Sequence, residues 1–311
     1  MRVFVTGAGG MLGSAVVRQL VRRGHEARGL AATPETQAAV QRNGGKPVPG
    51  ALDDMDALER GLAGVQAVVH TASPPLPEGL LQRGKWETLI QQKTQNTEGL
   101  VDAALRARVS VFVMIGSARI ARPREPGGWV NETFPPSSHS LISRLALDPE
   151  NVVRLARHER KLPAVFLRPA FIYGGGGVFA RMIVARIRSG RLPLPGGGDN
   201  LWSVVHADDV AEACALAVEK QPVGETFLAA DDDPVSLKNF TGYIAELLKA
   251  RPPRSLPLGP ARLLLGADLT DEMTVNARYS NARLKRELGW EPRYSSYREG
   301  LPVALAELDS Q

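Results

Sequence analysis

Short apolar runs alternate with longer stretches whose apolar residues recur at helical spacing. Arg2-Val-Phe-Val-Thr6 is a β-rich run that stops at glycines. A helical pattern follows from Met11 to Arg23, with Gly24 where a helix C-cap belongs. Weaker strand patterns cover Glu26 to Leu30 and Lys46 to Pro49, and Met55 to Leu62 reads as a helix. Val65 to His70 is a strand, broken by Ser73-Pro-Pro-Leu-Pro77. A helix from Trp86 to Ala107 leads to a buried strand at Val109 to Ile115, and Ala164 to Arg168 is the next. Strands and helices alternating in this way predict an α/β fold, a doubly wound parallel sheet with right-handed crossovers.

From about Gly174 the alternation loosens. Gly174 to Gly177 and Leu192 to Gly198 are loop-like, and Arg251 to Pro260 is proline-rich. Val204 to Val218 reads as a return to the main sheet. The expected organisation is therefore a main unit of residues 1–174, its sheet completed by about 203–230, and a smaller C-terminal substrate-binding lobe made of 175–202 and 231–311.

One loop carries recognisable chemistry. Thr6-Gly7-Ala8-Gly9-Gly10-Met11-Leu12-Gly13 follows a strand and opens a helix. Gly7 allows the tight turn, Gly10 lets the backbone approach a pyrophosphate, and Gly13 permits close helix–strand packing. Free N–H groups at the helix start face the phosphates. A lone glycine pattern is also compatible with a plain turn, but the strand–turn–helix context favours a Rossmann dinucleotide site.

Composition adds mainly exclusions. With 43% apolar and 23% charged residues, the 311-residue chain has a globular balance. The net charge of +5 comes from arginines spread between Arg18 and Arg298, without runs or interleaved aromatics. That reads as solvated surface plus some help for an anionic cofactor, not as a nucleic-acid face. Cys214 is the only cysteine, in an alanine-rich helical pattern that suggests a buried structural thiol. No apolar run approaches the ~20 residues of a membrane span. The chain opens directly on a strand, so the expectation is a cytoplasmic protein with no membrane partner.

The TGxxGxxG loop resembles that of the extended short-chain dehydrogenase/reductases, the NAD-dependent epimerase/dehydratase family. The resemblance continues through His70-Thr-Ala-Ser73, Asn96, Ile115-Gly-Ser117 and Arg168-Pro-Ala-Phe-Ile-Tyr-Gly174. It extends to Val205-His-Ala-Asp-Asp-Val210 and Leu288-Gly-Trp-Glu-Pro292. It implies cofactor contacts from Thr6, Gly7, Gly9, Gly10, Met11, Leu12 and Gly13. Further contacts are implied at Thr33, Leu52, Thr71, Ala72, Ser73, Pro169, Ala170, Phe171 and Ile172. An acid at the end of the second strand would bind the ribose of NAD and repel a 2′-phosphate. Leu30-Ala-Ala-Thr33 stands there with no acid until Glu35, which favours NADP(H) over NAD(H). The arginine that often accepts that phosphate is also missing, with Ala32 in its place, and Ala51 replaces an aspartate often found beside the adenine.

The sharpest departure lies where the family carries Tyr-x-x-x-Lys. This chain reads Ile142-Ser143-Arg144-Leu145-Ala146, and no tyrosine occurs between Ser117 and Tyr173. In relatives with the dyad, the tyrosine passes a proton to the substrate oxygen and the lysine tunes it. Such assistance is worth ~10²–10⁴-fold, about 3–5 kcal/mol. Its loss leaves hydride transfer to an activated carbonyl feasible, for instance one beside a phenol that supplies an internal hydrogen bond. Ser117, the expected catalytic residue, would add one donor to the developing oxyanion, worth roughly 3 kcal/mol. Water would then deliver the final proton.

Other residues have two readings at this stage. Arg119 either contacts the substrate, replacing the lost cation or orienting an acidic group, or is a solvated loop arginine. Ser138, His139 and Ser140 offer another proton route but sit where turn residues belong, and Tyr173 and His206 suit structural roles. Trp129, Phe171 and Trp202 are candidate aromatic walls for a flat substrate.

Sugar oxidation needs the dyad, so the sequence argues against the family's commonest activity. The expected function is a ketoreductase acting on an aromatic polyketide of the angucyclinone type, in antibiotic biosynthesis. That substrate class comes from resemblance to atypical family members without the tyrosine and lysine. Two alternatives remain at this stage: a cofactor-binding sensor without turnover, and a cyclase or lyase using the pocket for positioning. Relatives pair through helices flanking the sheet, which implies a homodimer.

Overall fold

The computed structural model describes residues 1–74 and 83–309. The first half alternates strands and helices: β1 (Arg2–Thr6), α1 (Met11–Arg22), β2 (Glu26–Ala31), α2 (Pro34–Arg42), β3 (Lys46–Pro49), α3 (Met55–Leu62), β4 (Ala67–His70), α4 (Arg83–Arg106) and β5 (Val111–Ile115). Next come β6 (Trp129–Val130), α5 (Leu141–Arg160), β7 (Ala164–Pro169), β8 (Phe171–Tyr173), α6 (Ala185–Arg188), β9 (Pro193–Pro195), β10 (Leu201–Trp202), β11 (Val204–His206), α7 (Ala207–Lys220) and β12 (Thr226–Ala229). The chain closes with β13 (Val235–Ser236), α8 (Leu237–Leu247), β14 (Arg254–Leu256), α9 (Leu258–Leu265), α10 (Ala267–Met273), β15 (Arg278–Tyr279), α11 (Ala282–Leu288) and α12 (Tyr297–Asp309). The break expected at Ser73–Pro77 lies outside the described residues from Pro75 onward.

Seven parallel strands form one sheet in the order β12-β7-β5-β4-β1-β2-β3. Residues alternate between its two faces, as a strand's period of two requires. Val3 and Val5 enter a core with α1 and α7, whereas Phe4 enters the opposite core with α3, α4 and α5. The strand order reverses between β1 and β4, and the crevice at their carboxyl ends is where such folds bind ligands.

A third core gathers Tyr173, Phe179, Ile183, Phe240, Tyr297 and Leu301. The main sheet is completed within 203–230, as the sequence suggests, but by β12, and two details differ from the expectation. β11 does not rejoin the main sheet: it pairs with β8 in a separate two-stranded sheet, and β12 forms the main edge instead. Residues 231–311 are also not one lobe, because Val275, Tyr279, Leu284, Leu288 and Trp290 belong to the first core. The Trp290 indole N–H donates to the Asp209 carbonyl at 2.9 Å, tying this segment to α7. Helix α2 escaped the pattern reading because Val40 is its one buried residue, so its apolar stripe is thin. Its start is instead fixed by a Thr33–Thr36 capping box and Pro34 in the first turn.

Candidate active site

The glycine loop closes tightly against the end of β4. Gly7 has φ +68°, and a Cβ there would lie 2.7 Å from Ala72 Cα. A Cβ on Gly13 would stand 2.0 Å from the Gly7 carbonyl oxygen, so any side chain would force the loop off the helix. Helix α1 has Gly10 as its N-cap and no side-chain cap. The N–H groups of Met11, Leu12 and Gly13 thus have no intrahelical partner, and all three residues line the adjacent cavity. A narrow glycine cradle with free amides fits a dinucleotide pyrophosphate.

That cavity has a volume of about 580 Å³, within the usual range for a small-molecule site. Gly7, Gly10, Thr71, Ala72 and Ser73 line one end, and Pro169, Ala170, Phe171 and Ile172 line another wall. Ser117 also lines it, as do Ile142 and Ala146, the two positions where the dyad would stand. Of the α5 residues in the lining, Ile142, Leu145 and Ala146 are hydrocarbon, and the Ser143 hydroxyl donates to the Ser140 carbonyl at 2.9 Å.

Ser117 begins a 3₁₀ turn, and its Oγ accepts the Arg119 backbone N–H at 3.2 Å. Accepting through a lone pair leaves its hydroxyl proton available to a substrate oxygen. Arg119 is in the cavity wall but is neither solvated nor a free cation. Its Nε donates to Glu272 Oε2 at 3.1 Å and its Nη2 to the Glu272 carbonyl. The guanidinium lies 4.7 Å over the Trp202 ring, and Phe171 packs against that ring at 5.0 Å. Arg119, Trp202 and Phe171 thus form one stacked wall.

Five residues expected at the site lie outside the cavity lining. Trp129 does not wall it: on β6, the ring is 52% exposed and stacks with the Arg278 guanidinium at 5.1 Å. Thr6 is buried behind the loop, where its hydroxyl meets His70 Nδ1 at 2.7 Å. Gly9 faces α2 instead, since a Cβ on it would meet Thr36 Cβ at 2.5 Å. Thr33 is committed to capping α2, and Glu35 nearby is held below the usual carboxylate range chiefly by the Thr33 hydroxyl. Leu52 packs against the second-face core beside α3.

None of the three polar residues of the turn before α5, Ser138, His139 and Ser140, lines the cavity. Ser140 caps the helix and its hydroxyl donates to Glu272 Oε1 at 2.7 Å, while His139 Nε2 meets Ser137 Oγ at 2.7 Å. Tyr173 is fully buried, its hydroxyl pushed well up by desolvation, and it packs against Gly300, where a Cβ would meet Oη at 2.2 Å. It does not line the cavity. Cys214 is buried in α7, with burial raising its thiol.

Lys93, on α4, lines the cavity and was not singled out by its sequence context. It sits among polar helix residues, and the nearby Asn96 of the family pattern does not point to it, so only packing reveals it. The neighbouring His70 links Thr6 to Thr97, with Nε2 3.2 Å from Thr97 Oγ1. Thr97 Oγ1 in turn donates to the Lys93 carbonyl at 2.8 Å. This assigns the imidazole proton to Nε2. Burial holds His70 neutral, with its pKa down at about 3.

Comparison with known proteins agrees with this arrangement. Residues 3–230 match the NAD dependent epimerase/dehydratase family. The chain is 32% identical to a 3-diazoavenalumate denitrifying reductase from Streptomyces sp, over 97% of this chain and 99% of that protein. It is 28% identical to a 4-hydroxy-2-methyl-3-oxo-4-farnesyl-3,4-dihydroquinoline-1-oxide ketoreductase from Stigmatella aurantiaca, over 97% and 95% of the two chains. A dTDP-glucose 4,6-dehydratase from Streptomyces venezuelae, solved with NAD, superposes with a TM-score of 0.83 at 23% identity, covering 100% of this chain and 98% of that one. Fold, glycine cradle and sequence likeness converge: this chain belongs to the NAD-dependent epimerase/dehydratase family, the extended short-chain dehydrogenase/reductases.

Proposed function

We propose that this protein reduces a carbonyl on a flat, phenol-bearing natural product, an aromatic polyketide of the angucyclinone type, in antibiotic biosynthesis, with NADPH as the preferred donor. It is an NAD(P)-dependent oxidoreductase. The observation that carries the finer reading is the replacement of the dyad: Ile142 and Ala146 line the same cavity as Ser117, Phe171 and Trp202. Hydrocarbon at the two dyad positions leaves α5 without an acid or base, which suits an aromatic ketone that carries its own hydrogen-bond donor. Two relatives named as reductases support hydride transfer, and one of them, named as a ketoreductase of a farnesyl dihydroquinoline-1-oxide, supports a carbonyl as its target.

The chain's own residues divide the work. A reduced nicotinamide supplies the hydride when bound. The amides of Met11, Leu12 and Gly13 would hold its phosphates. Ser117 donates to the carbonyl oxygen as charge develops there. Phe171, Trp202 and Arg119 hold the ring system flat and exclude water. The preference for NADPH rests on the missing acid at the end of β2; Glu35 opposes it from the first turn of α2.

The test follows absorbance at 340 nm with NADPH and a panel of peri-hydroxy aryl ketones, quinones and simple ketones. Oxidation confined to the phenolic carbonyls is expected. Cofactor binding without oxidation of any of them would overturn the reading in favour of a sensor. Conversion of substrate without NADPH consumption would do so in favour of a cyclase or lyase.

A further inference from the structure

Lys93 is a cation in the cavity wall with no carboxylate or hydrogen-bond partner for its ammonium among the described residues. Placing an unpaired ammonium against apolar surroundings is costly, and such groups concentrate at sites that use them. Its position along α4 is informative. Trp86 and Ile90 of α4 pack against Leu141 and Leu145 of α5, with Leu89 and Ile142 beside them. Lys93 lies one turn beyond Leu89 and Ile90, on the same stripe. Ala146 lies one turn beyond Ile142 on the facing helix. Lys93 therefore stands across from the position where the family's lysine is replaced by Ala146, and both line one cavity with Ser117.

We propose that Lys93 supplies, from α4, the positive charge and transferable proton that α5 lacks, acting as a catalytic residue at the oxygen of the carbonyl being reduced. This rests on the reductase reading above. A reduced nicotinamide held at the Met11, Leu12 and Gly13 amides would supply the hydride to the carbonyl carbon and be oxidised, and the C=O π pair would move onto oxygen. An N–H bond of Lys93 breaks, its proton forms the new O–H, and the neutral amine regains a proton from water. Ser117 donates to the same oxygen without losing its proton.

The surroundings fit this role. Burial lowers the Lys93 pKa to about 8, near a physiological working range. His70 of β4 is neutral there. From α5, Glu150 is closed off by Arg168 and Arg154, and Arg144 pairs with Asp148. On α3, Glu59 reaches Arg106. Across the cavity, Glu272 is engaged by Arg119 and Arg122, and Arg181 and Arg186 add positive charge near the π-helical turn Phe179–Val184 and α6.

The experiment compares wild type, Lys93→Met and Lys93→Arg on the best carbonyl of the panel, across pH 6 to 10. Three readouts are taken: kcat/KM, the NADPH dissociation constant and Tm. Lys93→Met is expected to lower kcat/KM by ~10²–10³-fold, with NADPH affinity within about twofold of wild type. In wild type, kcat/KM should fall as pH rises through about 8. That limb should vanish in both variants, with Lys93→Arg intermediate in rate because it restores charge without a proton that leaves at this pH. A folded Lys93→Met within threefold of wild type and with the same pH profile overturns the proposal alone. Wild type that consumes no NADPH with any carbonyl overturns the reductase reading and this proposal together.

Discussion

Glu150 on α5 and Arg168 on β7 form an ion pair closed to solvent, with Arg168 Nη2 2.6 Å from Glu150 Oε1 and Nε 3.1 Å from Oε2. The pair lies under the turn that presents Ser117, since a Cβ on Gly116 would come within 2.5 Å of Glu150 Oε2. Two side chains neighbouring the lost dyad thus still fix the end of β5. Removing one partner strands a buried charge. Arg168→Leu should therefore cost about 3–5 kcal/mol, toward the lower end because Arg154 also reaches Glu150 at 2.8 Å. Urea unfolding measures this, and a loss below about 1 kcal/mol would show that the pair is not structural.

Ser117→Ala removes the hydroxyl of a cavity-lining residue together with the bond that it accepts from the Arg119 backbone N–H. A donor to a developing oxyanion is worth ~10²–10³-fold in rate. The expected result is a drop of about that size in kcat/KM with NADPH affinity unchanged. Loss of cofactor binding in this variant would assign Ser117 to the cofactor instead.

Glu35 is the first acid after β2, drawn to the Thr33 hydroxyl at the start of α2. Replacing it with glutamine removes a negative charge near the expected 2′-phosphate. Glu35→Gln should tighten NADPH roughly two- to fivefold and leave NADH nearly unchanged. The difference should shrink in high salt. Fluorescence titration of both cofactors tests this; equal effects on the two would move the phosphate away from α2.

Asp231 is buried, with Oδ2 lacking a hydrogen-bond partner in the structure, and burial raises its pKa to about 9. An ordinary aspartate ionises near 3.8. Between these values the native carboxyl keeps a proton that the unfolded chain has released. Stability contributed by this group is then present at acid pH and lost as pH rises toward 9. Asp231→Asn should gain stability over wild type progressively from pH 5 to pH 9. Parallel Tm curves for the two proteins would refute this.

Lys93 titrates in the opposite sense. Its pKa is lowered from 10.5 to about 8, so the unfolded chain binds more protons between those values and stability rises with pH across that window. Lys93→Met should raise stability by about 1–3 kcal/mol at pH 7, discounted because the residue is only partly buried. The gain should shrink above pH 8 and vanish near pH 10.5. Thermal unfolding at pH 7 and pH 10 reads this even in the absence of turnover. A destabilised variant at pH 7 would give the lysine a packing role.

The sequence by itself determined the alternation of strands and helices, the glycine cradle and the identity of the family. These are local patterns: side-chain period, turn chemistry and short motifs lie within a few residues of one another. It also determined the loss of the dyad, because Ile142 and Ala146 can neither give nor hold a proton whatever surrounds them. Cavity membership depended on long-range packing. Trp129 turned outward onto Arg278, and Arg119 met Glu272 from 153 positions along the chain. Val204 to His206 paired with β8 rather than the main sheet. Lys93, unmarked by any motif, entered the cavity because Trp86 and Ile90 dock α4 on α5 and set the register between the two helices. A helix's sequence specifies which residues share a face, whereas only the neighbouring element fixes what that face touches.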